Sequence, residues 1–390
     1  MKKNKKYKLI DLFCGCGGLT KGFWDTGRFD IVFANDNNPS AIKSYQLNFD
    51  PKEKHANCRD IIDLVEHDPQ LIPQADIVIG GPPCQGFSLL NRNRIGDKRR
   101  ELWQYYVEVV RLSNASVVLM ENVPQLMDSS EFTAIIAALK KIGFDNLMSH
   151  ILNAANYGVP EIRKRTILIA AKKRVVALPV PTHLAKDKTD ELQERSQPYP
   201  AWLTVRDAIG DLPTPQGTEI RNEASPLNLH FGRTPTSISL ERYRAVPPGG
   251  NRFDLLNNRP DITPQCWKKK KEGGTDLFGR LWWDRPSVTI RTEFFKPEKG
   301  RYLHPEQHRP ITHREAARIQ SFPDDFVFFG SKTEIAKQIG NAVPVKLASA
   351  IALRTVDILD GSLSSSDREK TVSVYKALLG EKIKVNEYGI

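Results

Sequence analysis

The sequence predicts an α/β fold with a mostly parallel sheet, together with a smaller, irregular, β-rich second domain. Short apolar runs rich in β-branched residues alternate with helical patterns over residues 1–171. Charged residues follow several of these runs, where the carboxyl ends of parallel strands form one edge of a sheet. From about residue 172 to 310 the alternation ends, and prolines, glycines and short β-like runs predominate.

Composition predicts a soluble globular chain with a polyanionic partner. Its 390 residues suffice for one large core and a second domain, and its formal net charge is +11. No apolar run approaches the roughly 18 residues that a membrane span needs, so we expect a cytoplasmic protein. Five irregularly spaced cysteines fit reduced thiols. Cys14 and Cys16 lack a second pair at zinc-finger spacing, so no metal site is predicted.

The first predicted strand, residues 7–13, leads into a glycine-rich turn, Cys14-Gly-Cys-Gly-Gly18, and a helix from about Leu19. Glycines at such a turn allow a tight bend and let the backbone approach a cofactor. A dinucleotide fingerprint has glycine at positions 15, 17 and 20, but residue 20 is threonine. An NAD enzyme is therefore the least favoured interpretation.

Acidic residues follow the next two predicted strands. Asp36 comes after the strand at 30–34, about 20 residues beyond the glycines, where a carboxylate accepts hydrogen bonds from ribose hydroxyls. A third strand near 55–58 leads to Asp60. An exposed aspartate in a loop is as good an interpretation of Asp60 as a ligand contact.

Residues 75–79 form a further apolar run, which Gly80-Gly-Pro-Pro83 ends abruptly, so Cys84 lies at the carboxyl end of a strand. A free cysteine is usually an apolar filler, but the rigid turn and the polar Gln85 favour a reactive thiol. A basic loop follows, which suits either closure over a phosphate backbone or simple solvation. Its basic residues are Arg92, Arg94, Lys98, Arg99 and Arg100.

Glu121 ends the next predicted strand, residues 116–120, and should share a cleft with Cys84 because both follow parallel strands. Two arginines, Arg163 and Arg165, precede the apolar strand at 166–171. Alternation along a strand that starts early would place both on one face. Surface ion pairs are the alternative role for arginines in this position.

These motifs, in this order, resemble those of the cytosine C5 DNA methyltransferases. The segment from Gly80 to Ser88 resembles their catalytic loop, and Asp11-Leu-Phe-Cys-Gly-Cys-Gly-Gly-Leu19 resembles their S-adenosylmethionine loop. Glu121-Asn-Val123 matches their Glu-Asn-Val motif. Glu161-Ile-Arg-Lys-Arg165 resembles their Gln-x-Arg-x-Arg motif, with glutamate replacing glutamine, and residues 337–345 resemble their last motif. The resemblance covers about residues 8–359.

The resemblance implies a Rossmann-like domain that uses S-adenosylmethionine. Cys84 would add to cytosine C6, Glu121 would bind N3, and Arg163 and Arg165 would contact the base and its phosphates. The cofactor would be held by Phe13, Gly15, Gly17, Gly18, Leu19, Asp36, Asn37, Asp60, Ile61, Pro82, Asn341 and Val343. DNA would be contacted by Gln85, Ser88, Arg92, Arg94, Lys98, Arg99 and Thr289.

We therefore interpret the chain as an enzyme that methylates C5 of a cytosine flipped out of duplex DNA. Residues 1–171 and 311–360 would form the catalytic domain, 172–310 the target-recognition domain, and 361–390 a tail of unknown role. We expect a monomer, with a restriction endonuclease for the same DNA site as a potential functional partner. Two alternatives stay open: methylation of transfer RNA, which the long second domain disfavours, and a non-catalytic DNA-binding module, which the intact motifs disfavour.

Overall fold

The computed structural model describes residues 5–83, 101–193, 199–269 and 272–379. Packing divides the chain into two compact units. Unit 1 comprises Met1–Tyr157, Lys164–Pro200 and Val343–Ile390, and unit 2 comprises Gly158–Arg163 and Ala201–Ala342. Among the described residues, no helix combines the length and the apolar character needed to cross a membrane.

Unit 1 is built on a seven-stranded, mostly parallel sheet, which confirms the predicted fold class. The first eight strands of the chain are β1 Tyr7–Leu12, β2 Phe29–Asp36, β3 Ala56–Cys58, β4 Ile77–Gly80, β5 Val117–Asn122, β6 Asn146–Asn153, β7 Glu161–Ile162 and β8 Lys164–Ala171. All except β7 join this sheet, in the order β3-β2-β1-β4-β5-β8-β6. Strands β1 to β5 pair in parallel, whereas β8 is antiparallel to both of its neighbours.

Helices pack against this sheet in unit 1, and short helices joined by loops occur in unit 2. Their bounds are α1 Gly18–Trp24, α2 Pro39–Phe49, α3 Ile61–His67, α4 Leu102–Leu112, α5 Ser130–Lys141, α6 Lys186–Gln193, α7 Val205–Ile209, α8 Ser237–Ala245, α9 Arg252–Asn258, α10 Gln265–Lys269, α11 His313–Ile319, α12 Lys332–Asn341, α13 Val345–Asp360 and α14 Ser365–Leu379. Helices α7 to α12 belong to unit 2. In unit 1, apolar residues of α3, α4 and α5 pack on the sheet around Val78 and Val118, which are buried.

Helix α13 returns to the beginning of the chain. A Cβ added at Gly22 of α1 would lie 2.4 Å from the carbonyl carbon of Ala348, so the two helices touch backbone to backbone. At the end of α13, Arg28 Nη2 donates to both carboxylate oxygens of Asp360, at 2.8 and 3.1 Å. Helix α13 therefore supports α1, which begins at the glycine-rich turn.

Helix α14 lies in the tail, where the sequence analysis finds no motif. Thr371 and Tyr375, one helical turn apart, are buried, whereas most of the neighbouring side chains are exposed or half-buried. An apolar face of so few residues is too narrow to predict a helix from periodicity.

Unit 2 is not β-rich, contrary to the prediction. Among its described residues, the strands are β7, β9 Gly279–Arg280, β10 Ser287–Val288 and β11 Arg301–Leu303, and they form two short pairs, β7 with β10 and β9 with β11. The short β-like runs of this region mostly lie in loops or in helices. A β-strand pattern without neighbouring strands of matching length does not produce a sheet.

Buried arginine side chains bind the backbone carbonyls that a sheet would otherwise pair. The guanidinium of Arg280 donates to the carbonyl oxygens of Tyr243, Val246, His304 and Gln307. Arg301 and Arg252 each bind several carbonyls in the same way. A planar guanidinium carries five N–H donors, so one side chain can satisfy several irregular carbonyls. Because these guanidinium groups are buried, their positive charges do not lie on the exposed surface of unit 2.

The compact units divide the chain at other positions than the predicted domains. Residues 172–193 and 199–200 pack in unit 1 and residues 311–342 pack in unit 2, whereas the sequence predicts boundaries at 171/172 and 310/311. The predicted boundaries separate the segments for catalysis from the segment for target recognition. This separation stays a prediction, because the packing of the chain does not test which segment recognises a target.

We predict that Gly22→Ala lowers the free energy of unfolding by about 1–3 kcal/mol, because the new methyl group would overlap the backbone of α13. Alanine normally stabilises a helix relative to glycine, so the sign of the change is diagnostic. Urea denaturation of both proteins measures it. Gly232→Ala is the control, because its Cβ would meet only Gly217 O at 3.7 Å. Stabilisation by Gly22→Ala would contradict the close packing.

We also predict that acidification destabilises unit 2 through its buried histidines. Burial lowers the pKa of His304 and of His313 to about 4, from an ordinary value of 6.5. A lowered folded-state pKa stabilises the fold above pH 6.5, and this stabilisation is lost as the pH falls towards 4. Between pH 7.5 and 5 each histidine should cost about 2 kcal/mol of unfolding free energy. Urea titrations at both pH values measure the loss, and equal unfolding free energies would contradict it.

Candidate active site

The ends of β4 and β5 bring Gly81, Pro82 and Glu121 together. These strands are parallel neighbours, with Gly80 opposite Met120, so the residues that follow emerge at one edge. A Cβ at Gly81 would lie 2.9 Å from Glu121 Oε2, so the absence of a side chain lets the carboxylate lie against this backbone. Asn122 Nδ2 donates to Pro82 O at 2.9 Å. The two strand ends are therefore fixed to each other.

Arg165 pairs with Glu121 at this edge. Its Nε lies 2.9 Å from Glu121 Oε1, and the two side chains are only 14% and 12% exposed. The antiparallel register of β8 with β5 sets Thr166 opposite Asn122, which brings Arg165 to the end of β5. The structure thus unites two of the four predicted catalytic residues, from β5 and β8.

Arg163 occupies a different environment from the one that the sequence predicts. The predicted single strand is interrupted at Arg163, between β7 and β8, so Arg163 and Arg165 do not share a strand face. The Arg163 side chain is 1% exposed, and its guanidinium donates to the carbonyl oxygens of Ile290, Gly340 and Ala342 at 2.8–3.0 Å. A guanidinium committed to three backbone carbonyls supports the fold of unit 2, rather than reaching a base or a phosphate.

Glu161, which replaces the glutamine of the motif, completes this buried arrangement. Its Oε1 accepts a hydrogen bond from Ile290 N at 2.6 Å and lies 3.6 Å from Arg163 Nη1. Thr289, beside Ile290, donates its hydroxyl to Ile162 O at 2.9 Å. Together these contacts join β7 to β10, and they place the predicted DNA contact Thr289 in unit 2.

The glycine-rich turn and Asp36 lie together at the ends of β1 and β2. Phe13 and Gly15 both have left-handed backbone conformations, with φ of 55° and 54°. Gly15 N donates to Asp36 Oδ2 at 2.9 Å, and Asn38 N donates to Oδ1 at 2.9 Å. Burial raises the pKa of Asp36 above its ordinary value, although these backbone donors oppose the change. A Cβ at Gly15 would meet no atom within 4 Å, so the backbone there borders open space.

Asp11, which the sequence analysis does not single out, stabilises the start of α1 just after this turn. It is 1% exposed and accepts a short hydrogen bond from the hydroxyl of Thr20, which also contacts Tyr45 Oη at 3.2 Å. Burial, with a smaller contribution from Asp36, raises the pKa of Asp11 to about 8. The sequence does contain a signal for a buried structural acid, because Asp11 is the single acidic residue of the predicted strand at 7–13. Thr20 therefore has a structural role, as the hydrogen-bond donor to the carboxyl group of Asp11.

The remaining predicted cofactor residues fall in several places. Gly17 caps α1 with a φ of 94°, and Gly18 and Leu19 form the buried first turn. Asn37 is exposed after β2. Asp60 caps α3, accepting from Ile62 N at 2.8 Å, and Ile61 is buried behind it. Asn341 is exposed at the end of α12 in unit 2, whereas Val343 is buried in unit 1.

Cys84 and six of the predicted DNA contacts lie outside the described residues: Gln85, Ser88, Arg92, Arg94, Lys98 and Arg99. Among the described cysteines, Cys14 and Cys16 are buried, and burial raises the pKa of both thiols, to about 12 for Cys16. A thiol needs ionisation to act as a nucleophile, so these two are unsuitable.

The arrangement suits recognition of a planar polar ring. A carboxylate accepts hydrogen bonds from an amino group, and an adjacent guanidinium donates to carbonyl or phosphate oxygens. Both groups are held at a strand edge directly beside the backbone that leads to Cys84. A heterocycle with neighbouring donors and acceptors would meet both of these groups.

Comparison with known proteins relates the chain to DNA-modifying enzymes. The model of the family described as C-5 cytosine-specific DNA methylase matches residues 7–356. The type II methylase M.HgiDII of Herpetosiphon aurantiacus is 32% identical, over 90% of this chain and 96% of the relative. The type II methyltransferase M1.BsuMI of Bacillus subtilis is 34% identical, over 88% of this chain and 79% of the relative. The crystal structure of the S. pombe Dnmt2 methyltransferase shares the fold, with a TM-score of 0.58, 20% identity, and coverage of 90% of this chain and 99% of that one.

We predict that lysine costs much more stability at position 163 than at position 165. Arg163→Lys should lower the free energy of unfolding by about 2–4 kcal/mol, because one ammonium cannot reach three carbonyls and Glu161. Arg165→Lys retains the charge beside Glu121 and should change it by less than about 1 kcal/mol. Urea denaturation of the full chain measures both. Equal stability of the two variants would contradict the structural assignment of Arg163.

Proposed function

Because this chain belongs to the family of C-5 cytosine-specific DNA methylases and is a DNA cytosine methyltransferase, we propose the route that it uses. It transfers a methyl group from S-adenosylmethionine to C5 of a cytosine flipped out of a specific duplex sequence, through a covalent adduct between Cys84 and C6. The observation that carries this proposal is the Glu121–Arg165 pair beside Gly81, three residues before Cys84.

The glycine-rich turn and its neighbours fit S-adenosylmethionine. Gly15, which like Phe13 has a left-handed backbone, borders open space where a ligand can approach the backbone. The carboxylate of Asp36, already fixed by two backbone N–H groups, is an acceptor suited to ribose hydroxyls. Asp60 would face the adenine amino group, while Gly17, Gly18, Leu19, Asn37, Ile61, Pro82, Asn341 and Val343 complete the proposed set.

Cys84 starts the reaction. Cytosine C5 is too weak a nucleophile to take a methyl group unaided. Addition of the Cys84 thiolate to C6 forms a C–S bond and moves electron density towards N3 and C5, giving an enamine. Because an ordinary thiol, with a pKa near 8.5, is mostly protonated at neutral pH, positive charge near Cys84 would favour its ionisation.

Glu121 and Arg165 stabilise the charge that this addition creates. A protonated Glu121 carboxyl donates to N3, and its other oxygen accepts from the exocyclic amine. Arg165 donates to O2 and orients Glu121 through their existing contact. Bound S-adenosylmethionine supplies an electrophilic methyl carbon for C5. Loss of the C5 proton and departure of the Cys84 sulfur then restore the aromatic ring.

The DNA contacts follow from this placement. The loop after Cys84 is basic, and Gln85, Ser88, Arg92, Arg94, Lys98 and Arg99 would bind the phosphates and the gap left by the flipped base. Thr289, a residue of unit 2, is the remaining proposed DNA contact. We expect a monomer that acts on duplex DNA, with a restriction endonuclease for the same sequence as a functional partner.

We predict that labelled methyl from S-adenosylmethionine appears in duplex DNA as 5-methylcytosine, and that Cys84→Ser abolishes it. Cys266→Ser is the matched control, because that thiol is exposed in unit 2. Transfer RNA is tested separately. Label in transfer RNA alone would overturn the substrate, whereas label in DNA with Cys84→Ser intact would overturn the adduct.

DNA carrying 5-fluorocytosine should trap the adduct, because the final step needs loss of a proton from C5 and fluorine cannot leave as a cation. We expect a denaturation-resistant protein–DNA complex that requires both Cys84 and S-adenosylmethionine. Glu121→Gln should slow its formation about 10²–10⁴-fold, since the amide cannot protonate N3. A rate within twofold of wild type for Glu121→Gln would contradict its role.

A further inference from the structure

A buried cluster of oxygen atoms joins helix α14 to the end of β6. The hydroxyl oxygens of Tyr157 and Tyr375 lie 2.7 Å apart, and they lie 2.8 and 2.6 Å, respectively, from Pro179 O. Both tyrosines are almost fully buried. With one proton each, the two hydroxyls supply two hydrogen bonds among these three oxygens. When one hydroxyl donates to the other and the second donates to Pro179 O, the bonds form a cooperative chain that phenylalanine at either position interrupts.

Helix α14 lies beyond the residues that the family model matches, yet it contacts β6 at two points and the turn after β6 at a third. Arg368 Nη2 donates to Leu147 O at 3.3 Å, and the ring of Tyr375 packs on His150, with centroids 4.9 Å apart. The third point is Tyr157, the last residue of the short 3-10 helix Ala154–Tyr157 that follows β6. Helix α14 thus covers β6 and the turn after it.

Strand β6 in turn sets the position of Arg165. It is the antiparallel partner of β8 over eight residue pairs, and Leu152 lies opposite Arg165. As the edge strand, β6 pairs on one side only, so its position depends on what covers it. A shift of β6 or of the turn at Tyr157 would move the start of β8, and with it the guanidinium that pairs with Glu121.

We propose that Tyr375 is a positioning residue for methyl transfer. Its hydroxyl, through Tyr157 and β6, holds Arg165 at Glu121. The inference rests on the proposed function, because it assumes that the Glu121–Arg165 pair contacts the cytosine. An altered geometry at a reacting centre slows the chemical step even when the changed residue is remote.

The test uses the full chain and two substitutions at one position. Tyr375→Phe removes the hydroxyl and keeps the ring on His150, whereas Tyr375→Ala removes both. Thr371→Val is the matched control, since Thr371 is buried on the same face and its hydroxyl bonds Asp367 O within α14. For each protein we would measure the single-turnover rate of methyl transfer at saturating duplex DNA and S-adenosylmethionine, the KM for each, and the thermal midpoint.

We expect Tyr375→Phe to lower the single-turnover rate about tenfold, with both KM values within twofold of wild type. Its thermal midpoint should lie close to that of Thr371→Val, which keeps the wild-type rate. Tyr375→Phe should therefore have a higher thermal midpoint than Tyr375→Ala. Its single-turnover rate should nevertheless stay about tenfold below that of wild type. A wild-type rate for Tyr375→Phe would overturn the proposal, and so would a tenfold loss in Thr371→Val.

Tyr157→Phe extends the test to the partner hydroxyl. If both tyrosines act through one network, each single change should lower the rate about tenfold and the double change should lower it no further. A hundredfold loss in the double variant would mean independent effects and would overturn the proposal. If wild type transfers no methyl to DNA, the proposed function itself fails, and that outcome is distinct from a Tyr375→Phe rate that equals a measurable wild-type rate.

Discussion

The contact between Glu121 and Arg165 depends on the order and direction of three strands. Parallel pairing of β4 with β5 brings Gly81 to Glu121, and antiparallel pairing of β8 with β5 brings Arg165 to the same edge. A one-residue slip of β8 would turn its side chains to the opposite face. The register is secured by the buried apolar side chains of β5 and β8, so the hydrophobic core determines where the polar site forms.

Unit 2 reaches a stable structure by different means. It has few ladder hydrogen bonds among its described residues, and arginine side chains supply donors to its irregular backbone instead. Burying a guanidinium is costly unless its N–H groups are satisfied, and several carbonyls around each one meet that condition. Burial still lowers the pKa of Arg280 and of Arg314 to about 10, well above neutral pH, so both remain charged.

Buried acids in unit 1 organise the glycine-rich turn. Asp36 receives the N–H of Gly15, and Asp11 receives the hydroxyl of Thr20, so the turn is fixed at its beginning and at the first turn of α1. A Cβ at Gly17 would overlap the ring of Phe49, and Gly22 leaves room for α13. The glycines therefore serve packing as well as exposure to a ligand. Preorganisation of this kind lowers the entropy that ligand binding must overcome.

The sequence by itself determined the parallel sheet, the order of its motifs, and the strand-end positions of Asp36 and Glu121. These features depend on local patterns, namely β-branched runs and the glycine turns that end them. Only the tertiary structure decided that Arg163 is buried while Arg165, two residues later, meets Glu121. It also decided that unit 2 consists of short helices and of loops held by buried arginines, with few strands among its described residues. Finally, it decided that α14 covers β6. The physical reason is that a side chain's partners come from distant segments, and neither propensity nor periodicity records which carbonyl or carboxylate folding will bring beside it.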